Sequence, residues 1–246
     1  KLLGIPGAVL GGDQFIQIKK LAENIQSIFR WFDNERRLTY SGLAGVIEGT
    51  YYEKAIQEMI NEVLDDTGTV MDHASEDLRR IRVSLYKKRA DLRRLFEKVV
   101  AKLNKQGYLA DIEESFLNGR RVLAVFAEQK RMIKGILHGE SDSRKTAFIE
   151  PEETIELNNE VYSLENEESR EVYRILRTLT SQLAVYAELL KTYLDISGEY
   201  DFIRAKARFA QEYNGEYPVV LDKAHIHLVN AYHPLLFIYN KRAQKP

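Results

Sequence analysis

Asn118-Gly119-Arg120-Arg121-Val122-Leu123-Ala124-Val125-Phe126 is the stretch of the 246-residue chain whose reading decides the fold. Asn-Gly is the strongest short signal for a β-hairpin turn, and the apolar run behind it reads as a strand. Downstream come a polar turn from Glu128 to Arg131, a run from Met132 to Leu137, a polar loop from Gly139 to Lys145, and a run from Thr146 to Ile149. Together they predict a small β unit of about four strands.

Outward from this unit the apolar period becomes helical on both sides. Upstream, Leu78, Ile81, Leu85, Leu92, Leu95 and Val99 recur at three- and four-residue steps, interrupted once, and Ser75 with Glu76 and Asp77 behind it is a plausible N-cap. A helix from 75 to about 105 would run ~45 Å and is expected to project. Downstream, residues 152 to 196 carry Val161, Leu164, Val172, Ile175, Leu179, Leu183, Tyr186, Leu190 and Tyr193 at the same steps. The five prolines stand at 6, 151, 218, 234 and 246, so nothing from 7 to 150 interrupts a helix as proline does. Phe15 to Phe32 reads as one helix and Leu43 to Leu64 as a second, before a turn cluster at 65–69. A helix at about Asp201 to Tyr213, a loop through Gly215 and Pro218, and a short extended stretch before His233-Pro234 close the chain. The predicted fold class is mainly α with a small β insert. A long antiparallel helical arm (73–106 and 152–196) carries the β-rich module (107–151) at its tip, with a helical core (1–72 and 197–246) at its base.

Composition excludes several chemistries. Without cysteine there is no disulfide, cysteine zinc site, iron–sulfur cluster or cysteine nucleophile. No apolar stretch approaches the ~20 residues of a membrane span, so a soluble, cytoplasmic protein without a membrane partner is expected. The first residue is Lys1, which leads us to expect a piece of a longer or processed chain. The net charge of -1 hides an uneven distribution. From Glu76 to Lys105 eleven basic residues face four acidic ones, whereas Glu150 to Glu171 holds nine acidic and one basic. Antiparallel packing of the two helices would offset these charges, and Arg93, Arg94, Lys98 and Lys102 are read as inter-helix partners and solvated surface in preference to direct nucleic-acid contacts. The β insert has no such neighbour. Arg120, Arg121, Lys130, Arg131, Lys134, Arg144 and Lys145 outnumber Glu128, Glu140 and Asp142 there, and exposed donors at a projecting tip suit phosphate oxygens.

Other motifs fail a physical test. Gly139-Glu140-Ser141-Asp142-Ser143-Arg144-Lys145-Thr146 misses the P-loop pattern by one residue, because Arg144 stands where the second glycine must let backbone N–H groups wrap a phosphate. The residues after it read as extended rather than helical. His225-Ile226-His227 would place two imidazoles on one strand face, but no third ligand stands at a matching offset. No Gly-x-Ser-x-Gly, His-Glu-x-x-His or Gly-x-Gly-x-x-Gly occurs, and no catalytic residue or metal site is expected.

Several stretches, in order, resemble the MutS family: Asp72-His73-Ala74-Ser75 with Ile81-Arg82, Gly119-Arg120-Arg121-Val122-Leu123, Gly135-Ile136-Leu137-His138, Phe148-Ile149-Glu150-Pro151, Glu156-Leu157-Asn158-Asn159-Glu160, Asp201-Phe202-Ile203-Arg204 and Tyr232-His233-Pro234-Leu235-Leu236. The likeness is to its second bacterial branch, which lacks the mismatch-recognition domain and is associated with suppressing recombination. It implies a core, a lever and a clamp that hold branched or duplex DNA through phosphates, within a parent protein that dimerises. ATP and Mg would belong to an ATPase domain beginning shortly after His-Pro-Leu-Leu, with a nuclease domain later, and this chain itself would need no cofactor. The alternative is an interaction or dimerisation scaffold acting on stalled ribosomes. One departure is Arg144, where the family commonly has glycine, which implies a stiffer and more basic loop.

Overall fold

Asn118 and Gly119 take positive φ, 50° and 76°, and join β1 (Leu109–Leu117) to β2 (Arg120–Phe126). The computed structural model describes residues 2–243, apart from the side chains of residues 2 and 111–113; the expected core residues 1 and 244–246 lie outside the described residues. Two further strands, β3 (Gly135–Glu140) and β4 (Thr146–Pro151), complete an antiparallel sheet of order β1-β2-β4-β3. β3 starts later than the apolar run at Met132 predicts, because Ala127–Met132 coils into a 3-10 helix. Gly135 is where the strand can approach its neighbour, since an added Cβ would stand 2.1 Å from the Glu150 carbonyl oxygen.

The Ser75 hydroxyl accepts the Leu78 N–H at 3.0 Å and opens α5 (Glu76–Asn104). At 29 residues this helix is ~44 Å long. Its last turns bury Phe96, Val99 and Leu103 against Leu109, Leu123, Val125, Ile133, Ala147 and Ile149 on one face of the sheet. Further back, Leu85 and Leu92 bury against Val161 of α6 (Ile155–Ala184). The helices run antiparallel, as Arg82 to Glu168 and Lys88 to Glu160 show.

Earlier in the chain are α1 (Gly12–Trp31), α2 (Asn34–Thr39), α3 (Ser41–Ala44) and α4 (Ala55–Val63). The expected single helix from Leu43 to Leu64 is therefore broken, at Gly49, whose φ of 79° no right-handed helix accommodates. The returning helix differs too. It stops at Ala184, residues 185–186 form a turn, and α7 (Ala187–Tyr213) then runs through the position expected to separate two helices. Gly198 is the one helix-weakening residue there, and a single interior glycine costs only ~1 kcal/mol. α8 (Pro234–Arg242) begins with proline, where a missing N–H costs nothing.

Contacts divide the chain into two compact units, Lys1–Lys19 with Lys54–Ala187, and Lys20–Glu53 with Glu188–Pro246. In the second, the buried Tyr193 hydroxyl donates to the Tyr51 carbonyl (2.9 Å) and accepts the Glu53 N–H (2.8 Å). No helix of the described residues is long and apolar enough to cross a membrane.

Candidate nucleic-acid interface

The seven basic residues of the β insert occupy three different settings. Arg120 and Arg121 are turned inward. Arg120 Nη1 donates to Oε1 of the fully buried Glu150 at 2.8 Å and Nη2 donates to Asn159 Oδ1 at 2.7 Å, with the guanidinium over the Tyr162 ring. Glu150 is completed by His138, whose Nε2 stands 2.7 Å from Oε2. Arg121 lies between the rings of Phe96 and Phe116, 5.2 and 5.5 Å from their centres, and donates to Glu114 at 3.0 Å. Asn158 clamps the Arg121 backbone, accepting its N–H and donating to its carbonyl, both at 3.1 Å. These contacts fasten the sheet to α5 and α6. Asn158-Asn159, Glu150 and His138 all stand in stretches that carry the family resemblance, but nothing in the sequence pointed to their contacts with Arg120 and Arg121.

Lys130 is intermediate, bonded to Glu140 at 2.5 Å. That bond, helped by the charge of Arg144, holds the Glu140 carboxyl below its usual range. Arg131, Lys134, Arg144 and Lys145 are exposed and have no ion pair among the described residues. They fall at two ends of the sheet. Phe126 pairs with Thr146, and the Ala127 N–H donates to the Lys145 carbonyl at 2.9 Å, so the 3-10 helix bearing Lys130 and Arg131 starts beside Lys145 and Arg144. Lys134 precedes Gly135, which pairs with Pro151 at the opposite end, roughly 17 Å away at ~3.3 Å per residue.

The turn at 141–145 is built by local hydrogen bonds: Arg144 N–H to the Ser141 carbonyl at 2.8 Å, Ser141 N–H to the Thr146 carbonyl at 2.8 Å, and Thr146 N–H to Ser141 Oγ at 3.2 Å. Lys145-Thr146 leads into β4 and opens no helix. Closing the turn puts Arg144 at φ 54°, in the left-handed region. This is the position at which the family resemblance led us to expect glycine. His225 and His227 stack their rings 6.4 Å apart on an irregular loop rather than a strand, and no three His, Asp or Glu side chains gather into a metal site among the described residues.

The seam between α5 and α6 is made by different cations from those expected. Arg82 bonds Glu168 (2.7 Å) and Asp72 (2.5 Å), Lys88 bonds Glu160 (2.6 Å), and Arg89 bonds Glu165 (2.6 Å). By contrast Arg93 and Arg94 meet Glu97 and Asp91 of their own helix, Lys102 stands 4.0 Å from Glu153, and Lys98 has no ion pair among the described residues. The cause is helix phase: at 100° per residue, 82, 88 and 89 flank the buried stripe, whereas 94 and 98 point away from it.

No family model matches the chain. Among named proteins, Endonuclease MutS2 of Geobacillus sp. (strain WCH70) is 37% identical over 218 residues, 89% of this chain and 27% of that protein. Endonuclease MutS2 of Lactococcus lactis subsp. lactis (strain IL1403) is 32% identical over 232 residues, 93% of this chain and 29% of the relative. Putative endonuclease MutS2 of Bacillus subtilis (strain 168) is 37% identical over 181 residues, 74% of this chain and 23% of the relative. These likenesses support membership of the MutS2 family. The chain spans about a quarter of the length of the MutS2 relatives it matches. The matched share of this chain reaches 93% in the Lactococcus MutS2 protein, so the likeness is not confined to one motif.

Proposed function

We propose that this chain is the DNA-holding portion of a MutS2-type protein, with α5 and α6 as a lever and the β insert, residues 107–151, as a clamp that grips duplex or branched DNA by its phosphates. The observation that carries the reading is the set of exposed cations Arg131, Lys134, Arg144 and Lys145, without an ion pair among the described residues, on the sheet against which the last turns of α5 pack. Phosphate contacts position a protein on DNA without reading its sequence, so shape rather than bases selects the substrate. Arg120 and Arg121 act here as fasteners that keep the sheet rigid on the helices, and Lys130 joins the grip when a phosphate displaces Glu140. ATP and Mg would act in an ATPase domain of the parent protein, which would be a dimer that limits recombination and whose nuclease site lies in another domain.

Fluorescence anisotropy on linear and junction DNA at two salt concentrations tests this. The four sheet contacts alone give a slope of log K against log salt near -3.6, so affinity should fall at least about a hundredfold between 50 and 200 mM salt. No binding at the lower salt, or binding indifferent to salt, would refute the reading.

A further inference from the structure

We propose that the outward face of α5 is a second phosphate-binding surface, a straight track for the backbone of a duplex that continues into the sheet end at Lys145. It rests on the DNA-holding reading and extends it to residues outside the β insert. At 100° per residue, Arg80, Lys87, Arg94, Lys98 and Lys105 fall within about 20° of one line along α5 and its C-cap. All five are exposed. The buried Leu78, Leu85, Leu92, Phe96 and Leu103 lie on the opposite side of the helix. Lys87, Lys98 and Lys105 have no ion pair among the described residues, Arg94 stands 4.0 Å from Asp91, and only Arg80 holds a close partner, Asp77 at 2.7 Å.

Two features separate this line from an ordinary solvated helix face. Glu160, Glu165 and Glu168 of α6 are held at the seam by Lys88, Arg89 and Arg82. Among the described residues no ion pair joins α6 to Lys87, Arg94, Lys98 or Lys105, although Arg80 borders a groove that Glu167 and Glu171 also line. The spacing is also linear: 25 residues at 1.5 Å give ~38 Å, about one turn of duplex. The track then meets the sheet. Three residues after Lys105, the Tyr108 carbonyl accepts the Phe126 N–H at 3.1 Å, and the next residue, Ala127, donates to the Lys145 carbonyl. Tyr108 and Lys145 are therefore two strand spacings apart, ~10 Å. Like charges in such a row that stand more than a screening length of ~8 Å apart repel one another only weakly, and a polyanion laid along the row releases counterions.

The test is the triple variant Lys87→Gln, Lys98→Gln, Lys105→Gln, whose side chains make no ion pair among the described residues, with thermal unfolding measured alongside. On a 20-base-pair DNA duplex, the salt slope should shrink by about 2.7, which is 0.9 for each lost contact. An unchanged slope and affinity, with wild type still binding in a salt-dependent way, overturns the track and leaves the DNA-holding reading standing. An RNA duplex bound more tightly than DNA, with the same loss in the triple variant, keeps the track and overturns the DNA reading. Poly-glutamate bound as tightly as DNA and lost in the triple variant overturns the nucleic-acid assignment of the track. Failure of wild type to bind any duplex at low salt overturns both.

Discussion

Replacing Arg144 by glycine should make the protein more stable and a weaker DNA binder at the same time. Arg144 sits at φ 54°, and a side chain in the left-handed region costs roughly 1–2 kcal/mol. Glycine relieves that cost but gains freedom in the unfolded chain worth about 0.5–1 kcal/mol, leaving a net gain of about 0.5–1 kcal/mol. For a chain of this length the melting temperature should rise by about 2 °C. Arg144→Ala keeps the strain and removes the same charge, so its stability should stay within about 0.5 kcal/mol of wild type. Both variants lose one phosphate contact, and both should shorten the salt slope of DNA binding by about 0.9. The turn itself is held by Ser141 and Thr146 backbone bonds that neither change touches. Thermal unfolding followed by circular dichroism, paired with anisotropy titrations, separates backbone from charge. If glycine is no more stable than alanine at this position, the strain argument fails. If both keep the wild-type slope, Arg144 does not touch a phosphate.

Three further outcomes follow from the interior of the first unit. Glu150→Ala leaves the Arg120 guanidinium, 23% exposed, without its buried partner, and urea unfolding should show a loss of about 3–5 kcal/mol; a loss under 1 kcal/mol would mean that solvent reaches Arg120 freely. Gly135→Ala drives a Cβ to within 2.1 Å of the Glu150 carbonyl oxygen, so hydrogen exchange should speed up along β3 and β4 while α5 stays protected; uniform protection would contradict the close approach. Glu171 is held at about 2, first by the Arg174 guanidinium and then by the Ser75 hydroxyl. Because the folded value is depressed, this carboxylate stabilises the fold above about pH 4.5, and the contribution disappears as pH falls through about 2. Glu171→Gln should therefore flatten that part of the stability profile relative to wild type, and a parallel pair of curves would show that the ion pair contributes nothing.

What the sequence made legible was local. Asn118-Gly119 forces a hairpin because both residues tolerate positive φ, and Ser75 caps α5 because its hydroxyl needs only the N–H three residues on. The settings of Arg120 and Arg121 were not legible, because their partners Glu150, Asn159 and Phe96 stand 25 to 39 residues away and are assembled only when the sheet docks on the helices. The stop at Ala184 was hidden for a different reason. No glycine or proline marks it, and the apolar period that runs on through Tyr186 and Leu190 looks the same in one helix as in two. Charge counting along α5 located the basic residues but merged two faces, and only the 100° phase separates seam cations from outward ones.

That separation explains how a chain with a net charge of -1 can present a strongly one-signed surface. Close to a surface, opposite charges cancel only if they are interleaved. Here Glu160, Glu165 and Glu168 of α6 meet Lys88, Arg89 and Arg82 at a seam that also buries Leu85, Leu92 and Val161. Charges paired in such a seam are screened by salt less than exposed ones, and they project little field outward because each is answered within 3 Å. The exposed cations on the far side of α5 and at the sheet end keep their field to within a Debye length of ~8 Å, which is ample for a phosphate in contact. Added salt should therefore weaken nucleic-acid binding long before it loosens the helix pair. A variant set that breaks the seam, such as Arg82→Ala, should act on stability with little change in salt slope, and the outward lysines should do the reverse. Loss of both properties together from either set would mean that the two faces are not independent.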